Sequence, residues 1–316
     1  MSKLSSRRRA LTGVALCLVV LLGAPFVGDT VRPEAAEFVL WELRVPRVMV
    51  GALVGGILGI VGAAFQTIFN NPLATPSTVG TVAGATLGAL MALVLPVPAV
   101  LAGLPVVTVA AFAGAVGTSL VVGAVASRGQ TRVEDILLVG IALTLGASAI
   151  STGLQYTADM LALFSAAQWS LGHLAQLGYD GVWVLGPVAV LCAAVLLSQV
   201  RGLEALVAGD ELAESRGVHV RQLRAAVVIV GALGVAVCVA WCGPIAFVGL
   251  IVPHIVRRVF GSAQRVLLPG SLVTGAAFLV FCDALARVVA SGRELPVGVV
   301  TAALGAPALV VLIRRR

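Results

Sequence analysis

The sequence predicts an all-α polytopic membrane protein, and three observations predict it. Of its 316 residues, 59% are hydrophobic and only 11% are charged, where soluble domains carry about 25% charged residues. Apolar stretches of about 20 residues, the length that crosses a bilayer as a helix, recur along the whole chain. The 36 glycines supply the small residues that let membrane helices approach one another closely. No stretch reads as a soluble domain or a low-complexity linker, so a single transmembrane domain is expected over 1–316.

The first helix is expected at about 10–27. It follows "MSKLSSRRRA", a basic start that a signal peptide would share, but its apolar run reaches Val27 without a convincing cleavage site, so a retained helix is expected. Further spans fall at roughly 46–67, 76–95, 103–126, 134–156, 182–200, 224–242, 244–260, 266–289 and 295–313, giving about ten in all. Pro46 suits the first turn of the second span, where its missing N–H costs nothing. Alternating the spans from a cytoplasmic N-terminus leaves both termini inside. The inside then collects Lys3, Arg7, Arg8, Arg9, Arg128, Arg132, Arg201, Arg216, Arg221, Arg224, Arg257, Arg258, Arg265, Arg314, Arg315 and Arg316, which are 16 of the 21 basic residues. That is the distribution the positive-inside rule requires.

Arg32, Arg44, Arg47, Arg287 and Arg293 are left outside, among the acids Asp29, Glu34, Glu37, Glu42, Asp159, Asp180, Asp283 and Glu294. Two readings stand for these arginines. One is interfacial snorkelling with local pairing, such as Asp283 with Arg287 one helical turn on. The other is docking of a carboxylate-bearing partner.

Charge is missing from the middle of the spans, which argues against a carrier driven by an ion gradient. No HExxH, GxSxG or paired-aspartate arrangement lies inside them, so an intramembrane hydrolase has no support. Cys17, Cys192, Cys238, Cys242 and Cys282 all sit in apolar runs. Cys238 and Cys242 share a helix face at a spacing that would suit a metal, but small buried thiols normally pack as hydrophobes, and no metal site is expected.

The longest inward segment, 201–224, contains "GDELAESRGV". Asp210, Glu211 and Glu214 suit the first turn of a short surface helix, and Gly217 suits its end. Such a compact pattern reads as an element that a soluble motor pushes. A motor is not expected in the chain: Lys3 is the only lysine and no GxxxxGK[ST] occurs, so if ATP drives the process, a separate ATPase subunit binds and hydrolyses it.

Several stretches together resemble the permease subunits of ABC importers for iron–siderophores, haem and cobalamin, the FecCD/BtuC-like type II importers. They are "LRVPRVMVGALVGGILGIVGAAFQTIFNNPLATPSTVG" (43–80), "ILLVGIAL" (136–143), "LVAGDELAESRGVHVRQLR" (206–224), "CGPIAFVGLIVPHIVRRVFG" (242–261), "RVLLPGSLVTGAAF" (265–278) and "DALARVVASGRELPVGVVTAALGAPALVVLIRR" (283–315). The resemblance implies the type II permease fold and a multi-pass location in a bacterial cytoplasmic membrane. It implies a second permease subunit, identical or paralogous, two ATPase subunits and an extracytoplasmic substrate-binding protein, with no nucleic-acid partner. It assigns Arg44, Arg47 and Arg287 to docking of the binding protein. It assigns Gly209, Asp210, Glu211, Ala213, Gly217 and Val218 to coupling with the ATPase, and Asn71 and Leu73 to a cytoplasmic gate. A turn of the kind Asn-Pro makes is the plainer reading of the last two.

The implied cargo is an iron–siderophore first, haem second and cobalamin third; the chain itself binds no cofactor. Two positions depart from the family pattern. "LGHLAQ" places His173 outside, as a capping or exposed histidine or as a haem contact, and Arg293 adds a charge beside "ELPVG". A gradient-driven secondary transporter is the alternative of a different class.

Overall fold

A computed structural model describes residues 2–28, 32–101, 103–126, 133–174, 177–289 and 294–314. Asp29, Arg128, Arg132, Arg293, Arg315 and Arg316 lie outside the described residues. Helices α1 (Ser2–Gly23), α2 (Pro33–Phe38), α3 (Val45–Ile68), α4 (Thr81–Val94), α5 (Val106–Ala126), α6 (Val133–Thr157) and α7 (Met160–Ser170) make up the first half. They are followed by α8 (Asp180–Ser198), α9 (Val200–Leu206), α10 (Asp210–Ser215), α11 (Val220–Cys242), α12 (Val248–Val259), α13 (Gln264–Val288) and α14 (Val297–Arg314). Each predicted span falls on a helix. Six described stretches, Pro33–Ile68, Val106–Val125, Glu134–Thr157, Asp180–Ser198, Val220–Cys242 and Gln264–Val288, are long and apolar enough to cross a membrane. Thr12–Phe26, Thr81–Val94 and Val297–Val311 are apolar but shorter.

The departures from the predicted spans have local causes. The second span starts earlier, because α2 runs through a wide turn at Val39–Arg44 directly into α3. The third is split at Gly80, whose φ of 81° lies in the left-handed region that favours glycine. Val100–Leu101 pairs antiparallel with Leu104–Pro105, where the start of a helix is expected. The eighth span begins only at Val248, after Pro244 and a left-handed Phe247. Helix α7 has no counterpart in the predicted spans.

The core is built on α3. Of its most apolar window 83% is buried, against 22% for α6, so α3 is the axis and α6 turns its faces outward. Helices α3 and α13 run antiparallel in one continuous register, with Arg47 beside Asp283, Gly55 beside Gly275, Gly59 beside Ser271 and Thr67 beside Gln264. Apolar side chains alone do not drive helices together in lipid, so close backbone contact matters more there. A methyl group at Gly59 would collide with the carbonyl of Ser271, and one at Gly55 with that of Gly275. The variant Gly59→Val is therefore expected to push the pair apart, at a cost of about 1–3 kcal/mol. A lowered melting temperature of the detergent-solubilised protein checks this; an unchanged one refutes it.

Candidate functional site

Polar contacts gather at both ends of the antiparallel α3–α13 pair. At the first end, Arg47 stands in the opening turn of α3 and reaches Asp283 on α13, with Nε 2.9 Å from Oδ1 and 3.1 Å from Oδ2. Its Nη2 lies 2.8 Å from the same Oδ1, and its Nη1 donates to Glu294 Oε2 at 2.6 Å. Arg287, one turn beyond Asp283, brings its Nε to 3.3 Å from the other carboxylate oxygen. Its two amino groups donate to the carbonyls of Val27 at 2.8 Å and Ala24 at 3.0 Å. Those carbonyls lie in the short turn that follows the first helix; Ala24 also accepts from the Val27 N–H at 3.2 Å.

Asp283, 1% exposed, thus sits between two guanidinium groups, and Glu294 supplies the second negative charge. A buried ion is tolerated when it is paired and hydrogen-bonded on this scale. The pairing of Asp283 with Arg287 foreseen from their spacing is present. The link from Arg47 to Asp283, 236 residues apart, has no sequence signal. Of the three predicted docking arginines, Arg44 is half-buried with its guanidinium against Gly28, and the Arg47 side chain is 11% exposed. Arg287 is not on the surface: it is 6% exposed and drawn onto Asp283 and the end of the first helical segment.

His173 lies beside this cluster. Its backbone N–H donates to the Cys242 carbonyl at 2.8 Å. A cavity of about 620 Å³ is lined by Arg47, Glu294, Trp169, Gln168 and His173. A second, of about 360 Å³, shares Trp169 and His173 and adds Trp241. Crowding by protein and then the nearby Arg47 charge hold the imidazole below its ordinary pKa, which favours its neutral form.

At the other end, α10 is the short surface helix expected from "GDELAESRGV". Gly209 (φ 110°) precedes it and Gly217 (φ 80°) closes it. Glu211 and Glu214 are exposed, whereas Ala213 is fully buried and anchors the turn. The Val218 N–H returns to the Ala213 carbonyl at 3.1 Å. Asp210 accepts two hydrogen bonds from Arg224, at 2.8 and 2.9 Å; Arg224 was missed as a functional candidate.

The Asn71 side chain accepts from the Leu73 N–H at 2.9 Å and so builds the turn that follows α3. Leu73 is half exposed and lines an apolar cavity of about 330 Å³ with Thr75, Ile245 and Phe247. Cys238 and Cys242 are buried in the apolar core.

Comparison with known proteins gives a consistent picture. The FecCD transport family matches the chain over residues 11–315. The cobalamin import system permease protein BtuC of Halobacterium salinarum is 40% identical over 90% of this chain and 75% of its own length. The hemin transport system permease protein HmuU of Yersinia pestis is 33% identical over 98% of this chain and 96% of its own. The Fe(3+) dicitrate transport system permease protein FecC of Escherichia coli is 36% identical over 90% and 85%. A solved structure described as an inward-facing conformation of a metal-chelate type ABC transporter superposes with a TM-score of 0.88 at 27% identity, covering 98% of this chain and all of that one.

Proposed function

This chain belongs to the FecCD transport family, the permease subunits of ABC importers, and from that premise we propose that it forms the path by which an iron–siderophore complex enters a bacterial cell. A second permease copy or a paralogue completes the path in the cytoplasmic membrane. A substrate-binding protein delivers the chelate at the Arg44–Arg47 end, and a partner ATPase, holding ATP and Mg, drives the opposite end through residues 209–218.

The observation that carries this reading is the layout of α3. One helix has an arginine cluster at its first turn and, at its last, a link through Arg224 of α11 to a short acidic surface helix. Its length, about 36 Å at 1.5 Å per residue, is that of a bilayer crossing. Arg44 and Arg47 suit contact with carboxylates of the binding protein, which steers and orients it, while Arg287 holds Asp283 in place. On α10, exposed Glu211 and Leu212 offer the partner a mixed polar and apolar face. Leu73 and Asn71, in the turn after α3, are placed to gate the path at that end.

An iron chelate is supported by the names of two of the relatives above, which carry hemin and ferric dicitrate. A specific feature also favours haem as a second reading. His173, its neutral form favoured and flanked by Trp169 and Trp241, lines cavities beside Arg47, and a neutral imidazole is the side chain that ligates haem iron. Cobalamin, the cargo named for the relative from H. salinarum, comes third.

Uptake of labelled ferric siderophores, haem and cobalamin by cells lacking or carrying this chain tests the reading. Chain-dependent accumulation of a siderophore is the expected result. If haem accumulates instead, His173→Ala is expected to lower its uptake by about tenfold while leaving the melting temperature unchanged. Accumulation that persists without any ATPase partner refutes the importer mechanism and favours a secondary transporter.

A further inference from the structure

The residue that joins the surface helix α10 to the axis of the bundle is Arg224, and we propose that it is the positioning residue that carries motion from α10 into α3. The inference rests on the coupling role given to residues 209–218 above. Arg224 stands in the second turn of α11. Its two amino groups fork onto the Asp210 carboxylate, Nη1 to Oδ2 and Nη2 to Oδ1. Its Nε donates in the other direction, to the carbonyl oxygen of Ile68 at 3.3 Å. One planar, always-charged group therefore holds both elements, which a flexible ammonium would not do with the same geometry.

The acceptor on α3 is open for a sequence reason. The last carbonyls of a helix lack intrahelical donors and carry its negative end. Here the Phe69 N–H satisfies Phe65, the Asn71 N–H satisfies Gln66 and the Asn70 N–H satisfies Thr67. The donor four residues beyond Ile68 would be Pro72, which has no N–H. Arg224 fills that vacancy.

The same turn of α3 is tied to two more helices. The Gln66 amide donates to the Gly249 and Leu250 carbonyls at the start of α12, at 3.3 Å each, and accepts from Arg257. The Gln264 amide of α13 donates to the Thr67 hydroxyl at 3.1 Å. Residues 66–68 are thus a hub for α11, α12 and α13, and Arg224 is the member of that hub which also grips α10. A displacement of α10 enters the hub through Arg224. The α3 rod then delivers it to Arg47, about 30 Å away by helical rise.

The test uses the permease assembled with its ATPase subunits in proteoliposomes, with Leu73→Cys as reporter. Leu73 is half exposed, and the five native cysteines are buried. Maleimide labelling at this position is measured with and without ATP and vanadate, alongside ATP hydrolysis and the amount of bound ATPase. With Arg224 present, nucleotide is expected to change the labelling rate by at least about fivefold. In Arg224→Gln the change is expected to fall below about twofold, while the ATPase stays bound and hydrolysis continues. Arg224→Lys, which keeps the charge but not the fork, is expected to fall between. Wild-type nucleotide dependence in Arg224→Gln overturns the proposal, and so does loss of the bound ATPase in step with the labelling response, since that marks a merely structural role. An unmutated assembly that holds no ATPase overturns the coupling reading itself, and this inference with it.

Discussion

Replacing Asp283 by alanine is expected to abolish the folded protein, or to lower its melting temperature more than any other single substitution at the Arg47 end. Its carboxylate is the shared counter-ion of Arg47 and Arg287, whose side chains are 11% and 4% exposed. Removing it leaves buried Arg287 without its carboxylate and Arg47 with the exposed Glu294 as its remaining counter-ion. Breaking a buried pair from one side costs about 3–5 kcal/mol, far more than the pair itself is worth relative to apolar groups. Asp283→Asn keeps the volume and one acceptor but not the charge, so it is expected to rescue only a small part of the loss. The triple variant Asp283→Leu, Arg47→Met, Arg287→Met removes all three buried charges at once. It is expected to regain more stability than Asp283→Asn, short of wild type because the Val27 carbonyl loses the Arg287 donor and the Ala24 carbonyl keeps only the Val27 N–H. Thermal scans of the purified protein decide the matter. An Asp283→Ala variant melting within about 2 °C of wild type contradicts the account of this cluster.

The contrast between the two carboxylate contacts shows what a sequence can and does not carry. Asp283 and Arg287 are four residues apart on a continuous helical pattern, so their meeting is legible from spacing alone. Arg47 meets the same carboxylate across 236 residues, and only the antiparallel register of α3 and α13 makes that contact; nothing local in either segment announces it.

The helices follow the same division. Long apolar runs such as 45–68 are readable because length and hydropathy suffice. Helix α7, "MLALFSAAQWS", is too short to register as a span, and its one local signal is the Asp159 cap, which accepts from the Ala162 N–H at 2.7 Å. The late start of α12 had a signal in Gly243-Pro244, a break that the surrounding apolar residues masked. The "GDELAESRGV" helix was legible because acid-first and glycine-last are local rules. Arg224 escaped notice because its importance lies in a carbonyl left open by Pro72, 152 residues earlier in the chain.

Charge reversal at Arg44 is expected to slow capture of the substrate-binding protein by about tenfold at low ionic strength, and the structure singles this residue out for the purpose. Reversal at Arg47 would set a carboxylate against Asp283, and reversal at Arg287 would do the same more deeply, so either variant confounds docking with folding. Arg44 lies at the same end, half-buried against Gly28, outside the Asp283 pairs. Its substitution is expected to lower the melting temperature less than reversal at Arg47 or Arg287, because it leaves the buried Asp283 pairs intact.

A steering effect has a further signature. The difference between Arg44→Glu and wild type should shrink as salt rises and the screening length falls to about 8 Å at physiological ionic strength. Glu294, whose side chain is 57% exposed on Arg47, competes with any incoming carboxylate. Glu294→Gln should therefore act in the opposite sense and speed association about two- to threefold. Association rates of the binding protein on the reconstituted permease, measured across a salt series for both variants, test the pair together. Opposite shifts that converge at high salt establish electrostatic docking at the Arg44–Arg47 end. Equal association rates for Arg44→Glu and wild type at low salt would place the docking surface elsewhere, and would leave the arginine cluster as the lock that holds α3, α13 and the first helix together.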